Sequence, residues 1–578
     1  MNLNNFTFAN RPTLVRFINQ WDLGLILIIF AILFFLGEAA SQITRPYSLG
    51  QHLPISLKLS YLPHYALYTV LRLFIALFFS LLFTLVVGTL AAKSRSAEKL
   101  IIPTLDVLQS VPVLSFLSIT VAGFIQLFPG QLLGPECACI FAIFTAQVWN
   151  MTFSFYQSLK TFPPELIEVA DVFQLSPWQR FWKLEVPFSL SALIWNIMMS
   201  MSASWFFVVL SEAIQVAHQD IRLPGIGSYI AVAVETQNLT ALGYAILAMI
   251  FIIFLYDQLV FRPLVVWVEK FKMDASSQDD LADAWLLNWI MASHFLRRVL
   301  RPLGQLKDRF LNAKKINQLF NLKKSQPMPK LTLSLNIIWY ALLSLILLGI
   351  SLRLSIYIYS TITLATFLHV ILLGVATSIR VIIAILLSSI IWVPIGVLIG
   401  LRPIWASRIQ PLLQMAAAFP VNLFYPLFVI AIVRFNLNVE VWVTPLVILS
   451  AQWYILFNVI AGAARIPRDL CLAASNFGLK GFAWWKRLAL PGVFPFYVTG
   501  AITASGAAWN ASIVAECVSW GKTTLNGSGL GSYIKENTIA GHFPEIVLGT
   551  CIMCGFVLLF NHILWRPLYR FAEERFIV

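Results

Sequence analysis

Long apolar runs, separated by short polar stretches, dominate the chain. Runs long enough to cross a bilayer fall at about 22–41, 66–92, 100–126, 137–160, 188–212 and 241–262. A second set falls at about 333–356, 372–401, 408–434, 441–463, 492–517 and 545–566. Such runs predict helices, because hydrocarbon offers no partner to an unpaired backbone N–H or C=O. The pattern therefore predicts an all-α polytopic membrane protein of about twelve transmembrane helices, in two groups of six. Composition agrees: 59% of the residues are hydrophobic and 11% charged, where a soluble domain carries about a quarter charged residues.

The two groups are internal repeats. Thr69 and Arg72 recur as Thr377 and Arg380, 308 residues on, as do Gly88 as Gly396, Pro103 as Pro411 and Pro112 as Pro420. After a short loop the offset becomes 304: Trp205 recurs as Trp509, Glu212 as Glu516 and Arg262-Pro263-Leu264 as Arg566-Pro567-Leu568. Gly225-Ile-Gly227-Ser-Tyr229 likewise recurs as Gly529-Leu-Gly531-Ser-Tyr533. An even number of spans per repeat makes the repeats parallel, related by a pseudo-twofold axis along the membrane normal. The division is a first repeat at 1–262, a basic cytoplasmic linker at 263–332 and a second repeat at 333–578.

The net charge is +14, and its placement sets orientation. Lys93, Arg95 and Lys99 follow span two, and Lys160, Arg180 and Lys183 follow span four, whereas the loop at 127–136 has no Lys or Arg. The positive-inside rule then puts both termini in the cytoplasm. The linker reads as a tether on the membrane surface, and the flanking placement of basic residues disfavours nucleic-acid binding. Asp22 to Leu36 is followed by no clear small-residue cleavage site and reads as a first span. The six cysteines, including Cys551 and Cys554 inside an apolar run, read as structural.

Two amphipathic cassettes interrupt the apolar pattern on the cytoplasmic side: Glu168 to Pro187 and Leu472 to Pro491. Leu166, Val169, Ala170 and Phe173 fall at helical spacing, as do Leu470, Ala473, Ala474 and Phe477, so each copy predicts a short helix with one apolar stripe. A turn follows, with Gln174 in one copy and Gly478 in the other. Ser176-Pro177 then suits the cap and first position of a second short helix. Pro187 and Pro491 mark the start of the next span. A short helix with small residues on its stripe suits a groove of a partner protein; the plainer alternative is a helix lying on lipid.

The cassettes resemble the EAA loop of ABC importer permeases: Glu-Ala-Ala, three residues, Gly, nine residues, an aliphatic, one residue, then Leu-Pro. Copy one has Glu168, Ala170, Gln174 at the glycine position, Leu184, Val186 and Pro187. Copy two has Leu472 at the acid position, then Ala473, Ala474, Gly478, Leu488, Leu490 and Pro491. Leu105-Asp106 through Pro112, and Leu490 through Glu516, are similar to the nitrate/sulfonate/taurine-type branch. That resemblance implies two permease domains fused in one chain of a bacterial inner membrane. It also implies coupling helices docked on a cytoplasmic ATPase dimer, an extracytoplasmic substrate-binding protein, and a small anionic solute such as nitrate, bicarbonate or a sulfonate. ATP and magnesium would then be bound by the partner, and no cofactor or catalytic residue is expected in this chain.

Gly521-Lys522-Thr523-Thr524 imitates the tail of a P-loop, but Glu516 stands where the motif needs a glycine. The scattered histidines show no metal-ligand spacing. For the translocation pathway the polar positions of span five are the candidates: Asn196, Ser200, Ser202 and Ser204, then Thr503, Ser505 and Asn510. Small polar residues also pack membrane helices together. Glu212 and Glu516, near membrane depth, are functional candidates, or else hydrogen-bond the glycine-rich turn that follows. Arg72 and Arg380 either steer an anion or pair locally. Two other readings stand beside the importer: a secondary transporter using the paired acids, and a membrane scaffold or sensor without transport.

Overall fold

The computed structural model describes residues 54–216, 219–269, 351–353 and 355–576, with scattered positions elsewhere. The expected first span, most of the seventh and nearly all of the linker lie outside the described residues. By its contacts the chain forms two units. One comprises residues 41–161, 192–257 and 324–578; the other comprises 1–40, 162–191 and 258–323.

In chain order the first repeat runs α1 (Leu59–Lys93), α2 (Arg95–Ser110), α3 (Val113–Leu127), α4 (Leu133–Lys160), α5 (Pro164–Val172), α6 (Pro177–Ser211), the hairpin β1 (Ala213–Val216) and β2 (Gln219–Arg222), α7 (Ile226–Glu235) and α8 (Leu239–Val268). The second runs α9 (Leu364–Gly400), α10 (Pro403–Ala418), α11 (Val421–Arg434), α12 (Val439–Ala464), α13 (Arg468–Asn476), α14 (Gly481–Ala515), the hairpin β3 (Cys517–Trp520) and β4 (Thr523–Asn526), α15 (Leu530–Ala540) and α16 (Phe543–Arg575). Among the described residues eight helices, α1, α4, α6, α8, α9, α12, α14 and α16, are long and apolar enough to cross a membrane. Their apolar stretches divide by burial. In α1, α8, α9 and α16 no more than 33% of the stretch is buried, and residues such as Phe78, Leu247, Phe251, Leu372 and Ile390 are exposed. In α4, α6, α12 and α14 the buried share is 44–61%. The first four present apolar faces to lipid, and the second four form the interior of each repeat.

Three expectations are corrected. Spans three and nine are not continuous helices. Each breaks at its proline, Pro112 between α2 and α3 and Pro420 between α10 and α11, the latter pair bent by 68°. A proline has no N–H for the ladder, and the residue before it is pushed to extended backbone; Val111 and Phe419 are both extended. Second, Pro187 and Pro491 do not begin the next span. Helices α6 and α14 start ten residues earlier and carry a π-turn, Phe181–Glu185 and Trp485–Ala489, immediately before each proline's α-helical turn. The wider turn already gives up regular i→i−4 bonds, so the ring is tolerated there. Third, the segment after span five, read as a glycine-rich turn, begins with an antiparallel hairpin in each repeat, Ala213 paired with Arg222 and Cys517 with Asn526. Gly521, in the false P-loop, is the hairpin turn, with a φ of +58°.

The shared glycines report close helix contacts. A Cβ on Gly88 of α1 would come within 2.9 Å of Phe155 on α4, and one on Gly396 of α9 within 2.8 Å of Val459 on α12. Small residues at equivalent places let the same helix pair approach in both repeats. The second repeat's core centres on Val381, Val447, Ile455, Ala504 and Trp509.

Candidate functional site

A buried charge cluster forms beside the hairpin of each repeat. In the first, the Arg72 guanidinium is bidentate to Glu136, at 2.6 and 2.7 Å, and donates through Nη1 to Glu212 Oε1 at 2.7 Å and to the Pro224 carbonyl at 2.8 Å. Glu212 also accepts from the Thr69 hydroxyl and the Gly227 amide, both at 2.7 Å. The Thr69 hydroxyl accepts in turn from the Ile226 amide. The second repeat repeats this set: Glu516 accepts from Thr377 at 2.9 Å, the Gly531 amide at 2.7 Å and Arg380, whose other arm reaches Glu440 at 2.9 Å. Thr377 accepts from the Leu530 amide.

The Glu212 and Glu516 carboxylates are fully buried, so each cluster holds only because they are paired and hydrogen-bonded. The Gly-x-Gly of each turn is needed for space: a Cβ at Gly225 or Gly529 would stand 2.3 or 2.2 Å from the carboxylate of Glu212 or Glu516. One at Gly227 or Gly531 would strike the carbonyl of Val209 or Ser512. Glu212 and Glu516 thus tie span one of the described set to the hairpin and do not face an open path. Glu136 and Glu440 were missed from the sequence, although they too sit 304 residues apart. They begin helices after a loop where the offset changes, and a lone acid there reads as a helix-start residue.

A cavity of about 580 Å³ opens between the repeats. Its walls come from equivalent positions. At the 308 offset they are Gln109 and Ala417, Val111 and Phe419, Val113 and Val421. At the 304 offset they include Ala146 and Ser450, Trp149 and Trp453, Asn150 and Tyr454, Met199 and Thr503, Ser202 and Gly506, Phe206 and Asn510. A cavity lined by both members of so many pairs lies on the axis that relates the repeats. The broken ends of both proline-interrupted spans reach it. The Val113 amide, freed by the break, is accepted by the Asn510 side chain at 2.9 Å.

Of the expected pathway residues, Thr503, Ser505 and Asn510 line this cavity, as does Ser202, and the other five do not. Asn196 donates to Ser154 Oγ. Ser200 and Ser204 are buried, and Ser204 bonds back to the Ser200 carbonyl. Glu212 and Glu516 belong to the charge clusters. The physical reason is the helical period: 199, 202, 203, 206 and 207 share the cavity face of α6, and Ser200 and Ser204 lie about 100° and about 140° round the helix from Met199.

The cassettes fold as helix, turn, helix. In both, the first helix ends in a Schellman motif. The amide of Leu175 bonds to the Ala170 carbonyl and that of Leu479 to the Ala474 carbonyl, both at 2.9 Å. Gln174 and Gly478 each bond three residues back, with φ of +49° and +65°. Gln174 therefore adopts the left-handed conformation that the glycine of copy two adopts freely. Ser176 and Gln179 form a reciprocal capping box at the second helix of copy one. The expected stripe is divided. Ala170 and Ala474 are buried, Leu166 and Ala473 are half-buried, and Val169, Phe173, Leu470 and Phe477 are exposed. Phe173 is 72% exposed and Phe477 83%. Glu168 is exposed as well.

The family model described as binding-protein-dependent transport system inner membrane component matches residues 84–262 and again 392–576, together more than half the chain. The chain belongs to this family. It is a predominantly helical, multi-pass membrane protein with two copies of the family domain. Among curated proteins it is similar to the nitrate import permease protein NrtB of Leptolyngbya laminosa, 27% identical over 32% of this chain and 62% of that protein. It is also similar to the bicarbonate transport system permease protein CmpB of Synechocystis, 25% identical over 28% of this chain and 55% of that one. The glycine betaine/carnitine transport permease protein GbuB of Listeria monocytogenes is 31% identical over 22% and 42%. The chain thus spans less than two thirds of the length of these relatives.

Proposed function

We propose that this chain is the transmembrane subunit of an ATP-driven importer for a small anion such as nitrate or bicarbonate. A separate cytoplasmic ATPase pair drives it through α5 and α13, and an extracytoplasmic binding protein delivers the solute. ATP and magnesium stay on the ATPase, and this chain is not itself an enzyme. Both termini lie in the cytoplasm, the first repeat ends near 262, and the linker at 263–332 tethers the repeats. The observation that carries the reading is the twin cassette: two copies of one helix–turn–helix, each leaving a large apolar side chain, Phe173 or Phe477, exposed past the helix end. A monomer gains nothing from exposing such groups twice in the same geometry; a two-lobed partner with apolar grooves does. The relatives named for nitrate and bicarbonate transport support the anion.

Alternating access follows from the cavity on the pseudo-twofold axis. Rocking of one repeat against the other would open that cavity to each side in turn. The acids on which a proton- or ion-coupled carrier would depend, Glu212 and Glu516, are fully engaged by Arg, Thr and backbone donors. The test is purification of the tagged full chain from native membranes in mild detergent. A stoichiometric P-loop ATPase is expected to accompany it and to be lost when Phe173 and Phe477 are both changed to Asp. A wild-type chain that comes down alone and transports without ATP refutes the proposal.

A further inference from the structure

Among the described residues that line the cavity, every side chain is uncharged except one, Arg566. Its counterpart Arg262 donates to Gln258 Oε1 at 3.0 Å. In the second repeat His562 replaces that glutamine, and Arg566 is exposed, with no hydrogen bond or ion pair among the described residues. Two arginines deep in the spans, Arg72 and Arg380, are bound by carboxylates. The neighbouring Trp565 also lines the cavity, is 6% exposed, and its indole N–H has no acceptor among the described residues. Helices α3 and α11 both begin at the cavity wall, at Val113 and Val421, and bring their positive ends there. Among the described residues that line the cavity there is no Asp or Glu to oppose these groups.

We infer that Arg566 is the charge-selecting residue of the cavity, a fixed cation at its rim that admits small oxyanions and repels cations. This rests on the proposed importer function, and it adds that the two arginines of the repeated Arg-Pro-Leu differ: Arg566 lines the cavity without a partner among the described residues, whereas Arg262 is engaged by Gln258. The duplicated motif supplies the residue, and the change of Gln258 to His562 leaves it unoccupied.

The test reads the local field without needing the transported solute. Thr503 lines the cavity and is changed to Cys in the full chain. Its modification rates are measured with an anionic methanethiosulfonate sulfonate and a cationic trimethylammonium analogue, with the parent chain giving the native-cysteine background. The anionic reagent is expected to react faster. Arg566→Gln should lower the anion-to-cation rate ratio by about tenfold at low salt, with the effect shrinking near 1 M salt. Arg566→Lys should keep the ratio, and Arg262→Gln should leave it unchanged. A ratio indifferent to Arg566→Gln overturns the inference. So does an Arg566 effect present in maltoside but absent in phosphatidylglycerol vesicles, which would assign the arginine to lipid phosphate. An Arg566-dependent ratio upholds it even if cells expressing the chain take up neither nitrate nor bicarbonate; that failure would count against the proposed solute alone.

Discussion

Adding one methyl group at residue 225 tests whether the buried charge cluster holds the hairpin to the membrane helices. Gly225 has a φ of 177°, extended backbone open to any residue, so Gly225→Ala introduces no conformational strain. It introduces a Cβ 2.3 Å from the Glu212 carboxylate, where contacts under 3.0 Å do not occur. The carboxylate must retreat by about 0.7 Å, which stretches its 2.7 Å bonds from Thr69, Arg72 and Gly227 toward 3.4 Å, the edge of hydrogen bonding. Loosening a fully buried ion pair in this way should cost about 3–5 kcal/mol. Gly243, in α8 with nothing near its missing Cβ, is the control; Gly243→Ala should stabilise by about 0.5–1 kcal/mol through helix propensity alone. Thermal or denaturant unfolding of the purified full chain gives both values. The double change Glu212→Ala, Gly225→Ala should be no worse than Glu212→Ala, because the methyl then has room. Unaltered stability in Gly225→Ala, or additive losses in the double variant, would refute the steric argument.

The left-handed turn of cassette one should be strained. Gln174→Gly is expected to stabilise α5 by about 1 kcal/mol and Gly478→Ala to weaken α13 by a similar amount, read as changed hydrogen-exchange protection of the Leu175 and Leu479 amides. Hydrogen bonds from Lys160, then Tyr156, hold the Glu98 carboxyl below its ordinary range. Its contribution to stability is present above that range and lost as pH falls through the lowered value, so wild type and Glu98→Gln should converge in melting temperature in acid and separate toward neutrality. Asn510→Ala removes the acceptor of the Val113 amide and should cost about 1–3 kcal/mol. Asn510→Asp keeps an acceptor and should restore the protection of that amide from exchange.

The repeats, the cassettes and the long helices could be read from the sequence because each leaves a periodic or duplicated trace. The offset of 304 aligned Gln174 with Gly478 before their shared φ sign was known. The helix breaks at Pro112 and Pro420 were hidden by hydropathy, which stays high on both sides of a kink. The hairpins were hidden for a related reason: Ala213–Val216 and Gln219–Arg222 are four residues each, too short for period-2 alternation to stand out. The cavity wall is missed where polarity is allowed to outweigh phase. Ser200 and Ser204 are polar but lie off the cavity stripe, whereas Met199, Ala203 and Phe206 lie on it. Had the 3.6-residue period been imposed on Thr503 and Asn510 and carried back by 304, it would have selected the stripe in both repeats.

Along the axis the backbone is duplicated and the chemistry is not. The cavity wall has Gln109 where the other repeat has Ala417, Asn150 where it has Tyr454, Phe206 where it has Asn510 and Met199 where it has Thr503, so equivalent wall positions carry different chemistry in the two repeats. The cassettes divide in the same manner, the motif acid remaining in one copy and the glycine in the other. The charge clusters differ too: Glu136 is buried, whereas the Glu440 side chain is 46% exposed and shared with Ser528. Two identical subunits could not arrange this, since any residue on the axis would meet itself and any polar group would be doubled. Fusion frees each member of a pair to change alone, provided the positions that fix close packing, such as Gly88 and Gly396 or Gly225 and Gly529, remain in both. Arg262 and Arg566 are one more such pair, identical in sequence and different in surroundings. Substitutions at paired packing positions should therefore have similar effects in the two repeats, while those at paired cavity positions should not.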